Sequence, residues 1–172
     1  MKPPWQNFKR EALFSAVLRQ GGLWVLGQGL LILLFVTLPT KPLPLPHDFW
    51  PVQGRLHWLA SLGCALTALI FLGRGLLDLG SNLTPFPYPR SEGTLVQTGI
   101  YRLIRHPLYS GLILLELAWC LFTLSWTHAL AALALGSFLD QKANQEEEWL
   151  QEQYGEYAQY QERVKKLIPF VY

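Results

Sequence analysis

Apolar positions in this chain fall in long unbroken runs, with neither the period-2 alternation of half-buried strands nor a sustained heptad. The first run, residues 21–38 (GGLWVLGQGLLILLFVTL), would span roughly 27 Å as a helix, enough to cross the apolar core of a bilayer. It stops at Pro39, and Pro39, Pro42, Pro44, Pro46 and Pro51 predict a loop through TKPLPLPHDFWPVQGR. Trp50 and Trp58 suit interfacial anchors. A second helical run covers residues 56–79, with Arg74 and Asp78 spaced i, i+4 so that they can pair while reaching for the interface; turning either toward an internal cavity is the alternative. In GSNLTPFPYPRSEGTLVQT, Pro85, Pro87 and Pro89 alternate with Phe86, Tyr88 and Arg90, which predicts an extended, ordered loop at the membrane surface.

The last apolar stretch, residues 108–139, is interrupted near Ser125-Trp126-Thr127-His128. Two full crossings need about 40 residues, so it is either one long tilted helix or a hairpin of two short ones. Charge placement selects the hairpin, because Lys and Arg mark the cytoplasmic side. With a hairpin, only Lys41 and Arg55 of the 14 basic residues lie on the opposite side. The expected architecture is an all-α polytopic membrane protein. It has about four transmembrane segments, the last two a short hairpin, and both termini and the active site are cytoplasmic. Flanking pieces are an N-terminal interfacial helix over residues 1–20, where Leu13, Phe14, Val17 and Leu18 share a face, and a polar C-terminal helix that Gly155 interrupts. Residues 1–172 form a single domain: the interfacial helix, two membrane helices over 21–79, and a functional region over 80–172.

Composition agrees with this picture: 51% hydrophobic residues, 15% charged residues and a mean hydropathy of +0.19 are apolar for a soluble domain of this size. A net charge of +2 gives no reason to expect a nucleic-acid partner, and the four histidines have no metal-ligand spacing. Cys64 and Cys120 lie within apolar runs and are expected to be inert. The basic residues that precede the first run, with no small-residue cleavage site after it, do not fit a cleaved signal.

The candidate chemistry lies in GIYRLIRHPLYSG, residues 99–111. Pro107 favours an extended His106 and can open a helix, which puts Arg105 and His106 at a helix entrance where free N–H groups welcome anions. Arg105 adds a planar cationic fork, and Tyr101 and Tyr109 offer aromatic faces for a cation. The hairpin returns Glu146, Glu147 and Glu148 to the same membrane face, so acidic and basic clusters can close over a polar cavity suited to a small zwitterion. Taken alone, the basic cluster reads first as an ordinary site for lipid phosphates with interfacial tyrosines, and the glutamates as a solvated helix face. His128 is expected at the interface, and Glu116 is a candidate on the acceptor side.

The stretch resembles the GxYxxxRHPxYxG signature of the isoprenylcysteine carboxyl methyltransferase and phospholipid methyltransferase families of integral-membrane enzymes. A second signature of these families resembles Glu146-Glu147, Leu150, Tyr154-Gly155, Tyr157, Tyr160 and Pro169. Two departures are Lys142, where an arginine often precedes the glutamate pair, and one residue fewer between Gly155 and Tyr157. The resemblance covers residues 80–172. It implies S-adenosylmethionine as cofactor and a lipid-like or hydrophobic small-molecule acceptor, carboxylate or amine, entering from the bilayer, with membrane lipids as further partners. It also implies cofactor-binding roles for Gly99, Tyr101, Arg105, His106, Pro107, Tyr109, Gly111, Glu146 and Glu147, with Arg105, Glu146 and Glu147 catalytic and no metal. The alternatives are an NADPH-dependent membrane reductase of the sterol-reductase type and a non-enzymatic membrane adaptor.

Overall fold

A computed structural model describes residues 17–18, 20–44 and 50–172, and the interfacial helix expected over residues 1–20 lies almost wholly outside them. Five α-helices and no strands form among the described residues: α1 (Gly22–Thr37), α2 (Trp50–Leu79), α3 (Pro107–Thr123), α4 (Trp126–Gln153) and α5 (Tyr157–Arg163). The first four run up and down, so the start of α1, the end of α2, the start of α3 and the end of α4 meet at one end of the bundle. α2 and α3 make the most extensive helix pair, while α4 packs on both α1 and α3.

The α2–α3 pair is close because small residues allow it. A Cβ on Gly111 would meet Leu72 Cγ at 2.7 Å and the Ala68 carbonyl at 3.1 Å. Small residues at such a crossing bring backbones into van der Waals contact, the main attraction left between helices where lipid already solvates apolar groups. Gly111, expected at the cofactor, is thus a packing residue of the α2–α3 crossing.

The expected hairpin is present, with one correction to its second arm. Leu124 turns the chain in the left-handed region (φ 48°), and Ser125 caps α4 by accepting from the His128 amide. Its second arm is not short: α4 continues without a break past Leu139 to Gln153, so the final apolar segment and the polar glutamate helix are a single rod. Nothing between residues 139 and 153 is a glycine or proline, and the residues are strong helix formers. The helix ends where expected, with Tyr154 extended and Gly155 in the turn before α5. α2 begins at Trp50, earlier than the proline-rich sequence suggests, because Pro51 sits in the first turn, where no N–H is required.

The surface is inverted relative to a soluble bundle. Leu23, Leu26, Leu30, Leu33, Leu62, Leu69, Leu77 and Leu133 are more than half exposed, while His106, Glu116, His128, Lys142 and Glu147 are buried. An apolar exterior on this scale needs an apolar surrounding. Among the described residues one stretch, Leu56–Asn82, is long and apolar enough to cross a membrane by itself; α1 and α3, at 16 and 17 residues, are apolar but shorter.

Candidate functional site

At the end of the bundle where α2 meets α3, a 3₁₀ turn (Gly99–Arg102) leads into α3. Gly99 takes φ 59°, and a Cβ there would lie 2.1 Å from Asp78 Oδ2. Asp78 needs that space, because its Oδ2 accepts the Ile100 amide at 2.7 Å while its Oδ1 holds Arg74 at 2.9 Å. The expected Arg74–Asp78 pair therefore forms and also fastens the turn. Tyr101 donates to the Gly75 carbonyl at 3.2 Å, and Tyr160 of α5 donates to the Tyr101 carbonyl at 2.6 Å. Burial, reinforced by Glu146, Tyr160 and Asp78, raises the Tyr101 phenol above its ordinary value and keeps it a donor.

The segment after α5 pairs with the segment before α3. Arg105 and His106 amides donate to the Lys165 and Lys166 carbonyls at 2.9 and 3.1 Å, and Ser110 Oγ donates to the Leu167 carbonyl at 2.7 Å. This brings Arg105 and His106 against α4, where Glu147 collects four bonds. Its Oε1 receives Arg105 Nε (2.7 Å) and His106 Nε2 (2.9 Å), and its Oε2 receives Arg105 Nη2 (3.1 Å) and Gln161 Nε2 (2.7 Å). An ionised carboxylate only accepts, so His106 carries a proton on Nε2. Arg105 also donates to the Gln161 and Val164 carbonyls. Burial would raise the Glu147 carboxyl, but hydrogen bonds and charge from His106 and Arg105 win and hold it at about 2.

Glu146, its neighbour in sequence, faces a different place. Its side chain is 25% exposed, and its Oε2 accepts the Tyr109 hydroxyl at 2.7 Å. No described group donates to its Oε1. It lines a cavity of about 580 Å³ together with Arg105, His106, Tyr109, Lys142 and Tyr157. The Tyr109 ring stacks on His106 (5.3 Å, 2° between planes), and Lys142 Nζ lies 5.1 Å from its centre on the ring face. Val25, Ile32, Leu72 and Leu112 give the cavity an apolar wall, and residues of the loop from Pro85 to Val96 line another side. The first turn of α3 opens on Pro107, and its first backbone bond runs from Ser110 to His106. Leu108 and Tyr109, both in the lining, therefore keep free amides for an anionic group.

Of the sequence candidates, Tyr101, Arg105, His106, Pro107, Tyr109 and Glu146 line the cavity, and Gly99, Gly111 and Glu147 stand behind it. Glu116 lies outside the lining, midway along α3; it is 4% exposed and its Oε2 has no hydrogen bond among the described residues. His128, expected at the interface, lies at the hairpin end of the bundle, 2% exposed, bonded to Ser125 Oγ at 2.8 Å and packed edge-on against Phe35. Cys64 and Cys120 are free and half-buried. Sequence reasoning missed Gln28 of α1 and Gln161 of α5. Gln161 carries no signal beyond lying in the second signature's span, and Gln28 is marked only as a polar residue inside an apolar run.

Residues 61–152 match the isoprenylcysteine carboxyl methyltransferase family. Two curated relatives from Arabidopsis thaliana are similar. Protein-S-isoprenylcysteine O-methyltransferase B is 27% identical over 129 residues, covering 72% of this chain and 66% of the relative. Protein-S-isoprenylcysteine O-methyltransferase A is 32% identical over 133 residues, covering 71% and 65%. The chain thus spans just under two thirds of the length of the curated relatives it matches.

Proposed function

Because this chain belongs to the isoprenylcysteine carboxyl methyltransferase family, we propose that it moves a methyl group from S-adenosylmethionine to the carboxylate of a lipidated acceptor. The observation that carries this reading is the cavity. Glu146 offers it an uncommitted carboxylate oxygen, tyrosines form its walls, free amides stand at the start of α3, and an apolar side suits a lipid chain.

These residues fit the cofactor. Glu146 Oε1 can accept from a ribose hydroxyl or an ammonium, and the Leu108 and Tyr109 amides can donate to a carboxylate. When bound, S-adenosylmethionine supplies an electrophilic methyl group on a sulfonium. The chain's own part is to orient and to exclude water, because a carboxylate acceptor arrives ionised and needs no base. Reacting atoms must be held in line at about 3 to 3.5 Å. Tyr109 is fixed for this by Glu146 on its hydroxyl and by His106 and Lys142 on its ring. Glu147 acts from behind, holding Arg105 and His106 at the cavity wall.

In this reading α1, α2, α3 and the part of α4 up to Leu139 are membrane segments, and the cavity opens at the cytoplasmic face. The up-and-down order supports it, as does charge: Arg74, Arg90, Arg102, Arg105, Lys142, Arg163, Lys165 and Lys166 lie toward the cavity end, and among described side chains only Lys41 is basic at the other.

The test is transfer of labelled methyl from S-adenosylmethionine to N-acetyl-S-farnesylcysteine by the purified chain. Label released as methanol by mild base is expected, as for a methyl ester. Base-stable label would mean an amine or other acceptor, and absence of transfer to any lipid fraction would overturn the reading.

A further inference from the structure

The segment after α5 closes into a turn that points its apolar side chains outward. The backbone oxygen of Tyr172 accepts the Leu167 and Ile168 amides at 2.7 and 2.6 Å, which joins residues 167–172 into a loop. Ile168, Val171 and Tyr172 are more than half exposed, and Phe170 is 84% exposed. Phe170 also takes φ 64°, a left-handed conformation that is unfavourable for a bulky residue. Backbone strain that only shows a phenyl ring to water lowers stability twice over, whereas contact with lipid offsets it.

Polar contacts fix the depth of this turn. Lys166 Nζ reaches Asp140 Oδ1 at 2.5 Å and Asn144 Oδ1 at 2.7 Å, and the Tyr172 hydroxyl donates to Asp140 Oδ1 at 3.1 Å. Asp140 is the first charged residue after the apolar run of α4. On the other side, Ser110 in the first turn of α3 donates to the Leu167 carbonyl at 2.7 Å. Asp140 shares a helix face with Ser137 and Leu133, three and seven positions earlier. Leu133 is 68% exposed, and the Ser137 hydroxyl donates to its carbonyl at 2.8 Å, as a hydroxyl facing lipid must do. The turn thus continues an apolar outer face of α4 at the level where that face ends. Lys165 flanks it, exposed, with no described carboxylate within 4.0 Å.

We propose that residues 168–172 are an anchor that inserts into the cytoplasmic leaflet. Phe170 and Val171 enter the acyl region, the Tyr172 ring lies at the headgroup boundary, and Lys165 faces lipid phosphates. This rests on the membrane placement proposed above and is independent of the reaction. Because the turn is already closed, little ordering cost accompanies insertion. The anchor also steadies the residues before it, whose Lys165 and Lys166 carbonyls accept the Arg105 and His106 amides at the cavity wall.

The experiment attaches a nitroxide to one position at a time, through Leu133→Cys, Glu152→Cys, Phe170→Cys or Val171→Cys in a chain carrying Cys64→Ala and Cys120→Ala. The protein is reconstituted in nanodiscs of phosphatidylcholine and phosphatidylglycerol, and collision with oxygen, which partitions into lipid, is compared with collision with a water-soluble nickel chelate. Glu152, exposed on α4 about 18 Å beyond Asp140, is the water reference, and Leu133 is the lipid reference. The oxygen-to-nickel ratio at positions 170 and 171 is expected to exceed that at 152 by about fivefold or more, in keeping with insertion of ~5–10 Å. A ratio at 170 and 171 equal to that at 152, with position 133 in lipid, would overturn the anchor and leave the membrane placement standing. Shelter from both reagents at 170 and 171 would mean a protein cover, such as a second copy, and would overturn it too. A water-like reading at position 133 would count against the membrane placement itself. Should Phe170→Cys not fold, position 171 alone decides.

Discussion

The two ends of the bundle are both closed by polar knots, and they differ in what the knots leave over. At the hairpin end, Ser125 Oγ caps α4 and contacts His128 and Thr127, Thr127 donates to the Pro39 carbonyl, and the Leu43 and Trp126 amides pair with the Leu124 and Lys41 carbonyls. The groups satisfy one another and no ligand is needed. At the cavity end, Arg105, His106, Glu147 and Gln161 form a knot just as complete, but beside it Glu146 and Lys142 keep unfilled hydrogen-bonding capacity facing a cavity. Complete networks hold a fold, whereas incomplete ones at a cavity wait for a ligand.

The largest effect that would separate these roles comes from breaking the cavity-end knot. Arg105→Ala leaves Glu147 buried without its main partner and is expected to cost about 3 to 5 kcal/mol, read as a lowered melting temperature in detergent, with cofactor binding lost as a consequence. Acid acts on the same knot. The Glu147 carboxyl is held at about 2, below its ordinary 4.5, so its contribution is fully present above pH 4.5 and disappears as pH falls through 2. The loss is on the order of 3 kcal/mol, to be followed by near-UV circular dichroism, and Glu147→Gln should flatten that acid limb. Smaller, and different in kind, is Glu146→Gln. S-adenosylhomocysteine affinity is expected to drop about tenfold, near 1.4 kcal/mol, with the melting temperature unmoved. The smallest effect belongs to the hairpin end, where Ser125→Ala should cost about 1 kcal/mol for the lost cap and leave cofactor affinity as it was. A binding defect in Ser125→Ala equal to that of Glu146→Gln would erase the distinction between the ends.

Much of the fold could be read from the residues. The long apolar runs, the break at Ser125 and the one-sided distribution of basic residues all predict the up-and-down order, because hydropathy and charge are local properties. The division between Glu146 and Glu147 could not be read. Adjacent helical residues point about 100° apart, and which of them faces Arg105 depends on where α5 and the following segment fold back to supply Gln161 and the Val164 carbonyl. Gly99 and Gly111 could be recognised as motif positions, expected at the cofactor, but what their missing side chains make room for could not be read. Their roles are room for Asp78 and for Leu72, residues that lie in α2 and outside the motif. Lys142 stands out in sequence as a departure from the family pattern. Its partner Gln28 is 114 positions away, and nothing local connects them.

Calorimetric titration of S-adenosylhomocysteine into wild type and into Glu146→Gln, with NADPH as the control ligand, tests the central claim most directly. Binding of S-adenosylhomocysteine alone, weakened about tenfold in a Glu146→Gln protein that melts like wild type, is the expected result. Binding of NADPH instead, or S-adenosylhomocysteine affinity untouched by Glu146→Gln, would contradict it.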